Sequence, residues 1–208
     1  NRKYVGNFKD DKLNGEGTVY DKNGQLIKKG IFVDDKLNGK GEYFRNGFKY
    51  VGEFENNMLN GEGAVYDEKE RVVQKGVFVN NKINGKGECF YNNRKYVGEF
   101  ENGMLNGEGT VYDKNEQLIQ KGVFVDNKLN GKGEKFYNDY KYVGEFENGM
   151  LNGEGTVYDE KERVVKKGVF ANDKLNGKGE CFHNDHKYIG TFEDNKLHGK
   201  GTVFDEKE

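Results

Sequence analysis

One spacing constrains this chain more than any other feature. A glycine recurs at Gly6, Gly30, Gly52, Gly76, Gly98, Gly122, Gly144, Gly168 and Gly190, in steps that alternate between 24 and 22 residues, so that the true period is 46. Tyr4, Tyr50, Tyr96, Tyr142 and Tyr188 keep that period without a slip. Self-similarity at a fixed spacing marks a repeat array, in which each unit buries its face only against its neighbours. What one copy forms therefore decides what the whole chain forms.

The stretch Lys95–Gly109, KYVGEFENGMLNGEG, shows one copy plainly. Tyr96, Gly98 and Phe100 stand two apart, which in an extended strand places them on one face. Asn102-Gly103 follows, the pair best suited to a two-residue hairpin turn because both central positions need φ > 0. Gly107 and Gly109 again fall two apart, on a returning strand that ends in Val111 and Tyr112. Each copy thus reads as a β-hairpin. The structural positions are the glycines (Gly6, Gly98, Gly107, Gly109), the Phe two residues after the first glycine (from Phe8 through Phe100 to Phe192), and the ring that ends the returning strand (Tyr112 and its equivalents from Tyr20 to Phe204). These rings are expected to pack between repeats, the glycines leaving room for them to nest.

Composition agrees with a thin sheet rather than a thick core. Only 33% of the chain is hydrophobic and 34% is charged, a balance that alone suggests disorder, yet it carries 13 Tyr and 15 Phe. The joints between copies alternate between a longer polar link, Asp21-Lys22-Asn23-Gly24, and a shorter one, Arg45-Asn46-Gly47-Phe48. Both are hairpin-like. The expected fold is all-β: an elongated single-layer antiparallel β-meander, a solenoid-like array of nine β-hairpins with a twisted, groove-like surface. At ~4.8 Å per strand it would run on the order of 85 Å. The repeats fall at about 1–25, 26–47, 48–71, 72–93, 94–117, 118–139, 140–163, 164–185 and 186–208 of one array. Because the chain starts inside the pattern, it reads as part of a longer protein. On the returning strands Glu16, Lys40, Glu62 and Lys86 begin an alternation of charge that continues to Lys178, expected to favour correct register on a solvated face.

The residues argue against several chemistries. A formal charge of −2 offers no basic footprint for nucleic acid and no polybasic attraction to anionic lipid. There is no Ser to act as a nucleophile, and His183, His186 and His198 replace polar residues found at the same positions elsewhere. Cys181-x-His183-x-x-His186 has soft ligand types, but the matching stretch from Cys89 keeps only the Cys, so no metal and no cofactor is expected. Cys89 and Cys181 lie two periods apart, too far for a disulfide within a regular array, and unpaired thiols suit a reducing compartment. Asp21-Lys22-Asn23-Gly24 is turn chemistry rather than a calcium loop, since its Gly is misplaced.

The pattern Tyr-x-Gly-x-Phe followed by Gly-x-Gly, as in Tyr142, Gly144, Phe146, Gly153 and Gly155, resembles the MORN (membrane occupation and recognition nexus) repeat over all nine copies. The chain departs from it in having Phe where the family often has Trp, and Asn14 or Asn60 where it often has His, which only His198 matches. Lys28, Gln74, Gln120 and Lys166 replace the leading Tyr in the even copies. The resemblance implies a groove-shaped sheet of hairpins and a non-enzymatic scaffold that holds a protein partner, a helical or extended segment, along an aromatic surface. It also implies a cytoplasmic setting, cytoskeleton- or membrane-associated. Because even copies do without it, the leading Tyr is not demanded by packing. Tyr4, Tyr50, Tyr96, Tyr142 and Tyr188, about 19 Å apart by strand spacing, form the candidate partner-binding ladder. The alternatives are a peripheral module binding phosphoinositide lipids and a repeat array of a bacterial surface protein. Open sheet edges also make end-to-end self-association an expectation.

Overall fold

The structure, a computed structural model, describes residues 1–205; among them every regular element is a strand. Two compact units meet in sequence at Met104 and Leu105. The first holds β1 (Lys3–Lys9), β2 (Lys12–Tyr20), β3 (Leu26–Val33), β4 (Lys36–Arg45), β5 (Phe48–Glu55), β6 (Met58–Tyr66), β7 (Val72–Val79), β8 (Lys82–Tyr91) and β9 (Arg94–Glu101). β10 (Met104–Tyr112) opens the second, which continues with β11 (Leu118–Val125), β12 (Lys128–Tyr137), β13 (Tyr140–Glu147), β14 (Met150–Tyr158), β15 (Val164–Ala171), β16 (Lys174–His183), β17 (His186–Glu193) and β18 (Lys196–Asp205). Within each unit every strand pairs antiparallel with the next along the chain, the meander expected from the repeat.

The turn residues behave as their chemistry dictates. Both central positions carry positive φ, as at Asn56 and Asn57 with 50° and 67°, the primed geometry that matches strand twist. Just beyond the turn the register breaks. Gly52 faces Gly63 but Phe54 faces Leu59, so two extra residues of the returning strand bulge out and bend it. Gly61, at φ 113°, makes the bend; a residue with a Cβ would be strained there.

The bend lays each Leu back over the glycines. A Cβ on Gly41 would stand 2.9 Å from Leu37 Cδ1 and 2.7 Å from the Lys29 carbonyl oxygen. The empty row is thus filled by leucine, and the expectation that glycines make room for rings is corrected. Leu13, Leu37, Leu59, Leu105, Leu129, Leu151 and Leu175 are fully buried, as are Phe32, Phe78, Phe124 and Phe170. Each such side chain contributes about 1.5–3 kcal/mol, which explains how so little apolar matter holds a sheet. Gly98 and Phe100 follow the same plan, with Phe100 4% exposed; Phe8, on β1, is 54% exposed.

The rings that end the returning strands depart from expectation. Val19, Val65, Val111 and Val157 take the buried place, and the next residue points to the opposite face. Phe90 and Phe136 are exposed, while Tyr112 is half-buried. On that outer face a lysine lies over the ring and reaches a carboxylate. Lys95 Nζ is 5.4 Å from the Phe90 ring centre and 2.9 Å from Glu88 Oε2; Lys187 stands likewise at 5.1 Å from Phe182 and 2.8 Å from Glu180. Parity decided it: in period-two geometry Val and the ring after it cannot both face inward.

Candidate functional site: the tyrosine-bearing face

Beside the glycines, on the same face, runs a second transverse row. In the first unit the register reads Tyr4, Val19, Lys28, Tyr43, Tyr50, Val65, Gln74, Cys89, Tyr96. In the second it reads Val111, Gln120, Lys135, Tyr142, Val157, Lys166, Cys181, Tyr188, Val203. The five ladder tyrosines all lie in this row, but they are not neighbours. Within each unit three residues separate each from the next: a valine, a Lys or Gln, and a variable position.

In the even repeats that carry lysine here, a bond to the next repeat takes the place of a ring. Lys28 Nζ donates to Asn57 Oδ1 at 2.7 Å, in the turn of the following repeat, and lies 5.0 Å from the Tyr43 ring centre. Burial, with the charge of Arg2, lowers its pKa. Lys166 donates in the same way to Asn195 Oδ1 at 2.9 Å. Lys135, at the variable position, donates to the Gly149 carbonyl at 2.9 Å and pairs with Asp173 at 3.4 Å. These ammonium groups hold one repeat to the next across the face.

In the second unit the row opens into a groove of about 630 Å³. Tyr142, Val157, Lys166, Cys181 and Tyr188 line it, with Phe192 and Leu197 toward the turns. The fold thus brings Tyr142 and Tyr188 into one groove. In the first unit Tyr50 sits against Tyr43, ring centres 6.3 Å apart; Tyr4 is 43% exposed and Tyr96 half-buried. Burial, followed by the Asp173 carboxylate, raises the Tyr142 phenol pKa. Burial also raises both thiols, against opposing effects of Gln74 on Cys89 and Lys166 on Cys181, so both stay protonated at neutral pH. His186 Nδ1 is 2.6 Å from the Asn184 carbonyl oxygen, and His198 lies 3.4 Å from Glu193 on the surface.

One set of working residues is invisible to the spacing argument. The second turn residue holds the leucine of the preceding repeat by two bonds. The Asn57 N–H donates to the Leu37 carbonyl at 2.9 Å, and the Leu37 N–H donates to Asn57 Oδ1 at 2.9 Å. Asp35 holds Leu13, Asn81 Leu59, Asn127 Leu105, Asp173 Leu151 and Asn195 Leu175. Gly103 and Gly149 keep only the backbone half, toward Ile83 and Leu129. A signal did exist. Seven of the nine turn pairs place Asp or Asn where glycine would fit the turn more easily.

Compared with known proteins, none of the curated sequences matches this chain. The family model described as MORN repeat matches residues 4–26, 29–48, 50–64, 75–94, 96–116, 121–140, 142–159, 167–186 and 188–203. Nine matches that follow the hairpins from end to end, over the glycine and Phe positions that bend and fill each one, leave one assignment: the chain belongs to the MORN repeat family.

Proposed function

We propose that the chain is a non-enzymatic scaffold that holds a helical or extended segment of another protein against its tyrosine-bearing face. The observation that carries the reading is the groove of the second unit, where Tyr142 and Tyr188 line one cavity with Val157 between them in register. Tyrosine presents a rigid apolar body with a polar tip, the chemistry enriched at protein interfaces. The near-identity of copies supports it further: Lys95–Asp113 and Lys141–Asp159 match residue for residue, so neither is specialised as an active site. A phosphoinositide headgroup would need cations, and Lys28, Lys135 and Lys166 on this face are already engaged by Asn57, Asp173 and Asn195.

The test replaces Tyr142 and Tyr188 together with Lys. Both are partly solvated, so the far-UV spectrum and melting should hold. Recovery of the groove's protein partner from source lysate should fall at least about tenfold, the effect of losing interface anchors. Equal recovery by both proteins would remove the proposal. So would partner binding that requires anionic vesicles.

A further inference from the structure

The 24/22 alternation leaves a second kind of cavity at the joint end of the strands. Within each unit a cleft forms over a short joint of two residues that lies between two long ones. In the first unit the cleft lies over Asn46-Gly47, between the loops that begin at Asp21 and Asp67. In the second it lies over Asn138-Asp139, between the loops that begin at Asp113 and Asp159. The two clefts correspond position for position at an offset of 92 residues, two periods.

Their differences point to an occupant. Where the first cleft has Arg45, Gly47 and Phe48, the second has Tyr137, Asp139 and Tyr140. The first therefore carries its own guanidinium among the carboxylates Asp21, Asp67, Glu68 and Glu70. The second loses that cation and gains a carboxylate and a ring. It presents Tyr137 at 60% exposure, with Lys135 Nζ 6.0 Å from its ring centre, and Tyr140 at 41%, beside acidic side chains with Lys141 as the one lining cation. Lys141 is itself occupied on the outer face, 3.3 Å from Glu134 and 5.8 Å from the Phe136 ring centre. Asp113 spends Oδ1 on the loop amides of Asn115 and Gln117, and Asp159 pairs with Arg163. Asp139, Glu160 and Glu162 remain to meet a ligand.

We propose that the cleft over Asn138-Asp139 docks an arginine- or lysine-bearing peptide segment, one cationic side chain entering where the first unit holds Arg45. Exposed aromatic faces with carboxylates around them attract a cation by its ring quadrupole and its charge together. Guanidinium, planar and weakly hydrated, suits such a place better than ammonium. The site adjoins the groove, with Tyr140 lining both, but Tyr142 and Tyr188 line the groove alone and Tyr137 and Asp139 the cleft alone.

The experiment uses the full chain and a fluorescein-labelled octapeptide of alternating arginine and glycine, followed by anisotropy at low salt. The control peptide carries glutamate in place of arginine. The arginine peptide should bind once per chain and the glutamate peptide should not. Tyr137→Arg, which gives the second cleft the residue of the first, should weaken binding at least about tenfold, as should Asp139→Asn with Glu160→Gln and Glu162→Gln. Glu68→Gln with Glu70→Gln, the first-cleft counterparts of Glu160 and Glu162, should change affinity less than about twofold. Arg45→Tyr should add a second peptide per chain. Unaltered binding in Tyr137→Arg, equal weakening by the two neutralised clefts, binding of the glutamate peptide, or one peptide per chain in Arg45→Tyr would each overturn the assignment.

Discussion

Along each unit the strands are joined at one end by two-residue turns and at the other by joints of alternating length, and the two ends tolerate change very differently. At the turns every pair is drawn from Asp, Asn and Gly, because the residues must accept positive φ and the second usually receives a leucine N–H from the repeat before. At the joints the short pairs Asn46-Gly47, Asn92-Asn93, Asn138-Asp139 and Asn184-Asp185 keep the turn residue types and each long loop begins with Asp, but other matching positions vary: Gly24 against Glu70, Glu116 and Glu162, and Arg45 against Tyr91, Tyr137 and His183. Register survives that variation, since the strands on either side pair alike. The array is therefore fixed at its turns and along its glycines, while particular positions in and beside the joints differ from repeat to repeat.

The largest effect should come from the glycine row. In Gly122→Ala the new Cβ would stand 2.5 Å from the Lys132 carbonyl oxygen and 2.6 Å from Gly133 Cα at φ +147°, and backbone cannot yield as a flexible side chain does. Urea denaturation should show a loss of about 3 kcal/mol or more. Gly24→Ala, at a joint where a Cβ meets nothing within 4 Å, should cost only about 1 kcal/mol. Equal losses would erase the contrast between the two ends.

Next come the turn clamps. Asn57→Ala removes the acceptor for the Leu37 N–H and puts alanine at φ 67°. The same measurement should give about 2 kcal/mol, from the lost hydrogen bond and left-handed strain together. Asn57→Gly keeps the conformation and should cost about half as much. At the joints the sign reverses. Glu162 sits at φ 58°, and Glu162→Gly should stabilise by about 1 kcal/mol, whereas no glycine at a clamp position should stabilise.

The smallest effect is electrostatic. Hydrogen bonds from Arg71 hold the Asp67 carboxyl below the usual carboxylate range, and Arg163 does the same for Asp159. A depressed pKa stabilises the fold above the ordinary carboxylate pKa, and the contribution fades as pH falls through the lowered value. Arg71→Gln with Arg163→Gln should therefore differ slightly from the parent in melting temperature at neutral pH and converge with it in acid. Both pairs are solvent-exposed, so added salt should shrink the difference too.

Much of this was legible in the residues. Asn102-Gly103 and its equivalents gave away the turns, and the period of Tyr4 through Tyr188 put those tyrosines on the glycine-bearing face. The burial of the invariant Phe from Phe32 to Phe192 followed from the same alternation. Other features depended on three-dimensional register. The two-residue bulge after each turn shifts Leu37 onto Gly41, and no spacing in the sequence announces it. Tyr112 and Phe136 looked like core because they are rings, yet the valine before each odd-repeat ring takes the inner place. The clamp of Asn57 on Leu37 joins residues 20 apart, so a local reading of Asn57 finds only a turn former. The clefts arise from loops two repeats apart, and only their placement shows Tyr137 standing where Arg45 stands.

Site-resolved amide hydrogen exchange on the full chain tests the contrast between the two ends most directly. The amides of Leu13, Leu37, Leu59, Leu105, Leu151 and Leu175, each bonded to a turn carboxylate or carboxamide, should be strongly protected. Those of Ile83 and Leu129, which face Gly103 and Gly149, should exchange at least about tenfold faster, and Gly149→Asn should restore protection at Leu129. Equal protection at all eight amides would contradict the claim that the turn side chains lock one repeat to the next.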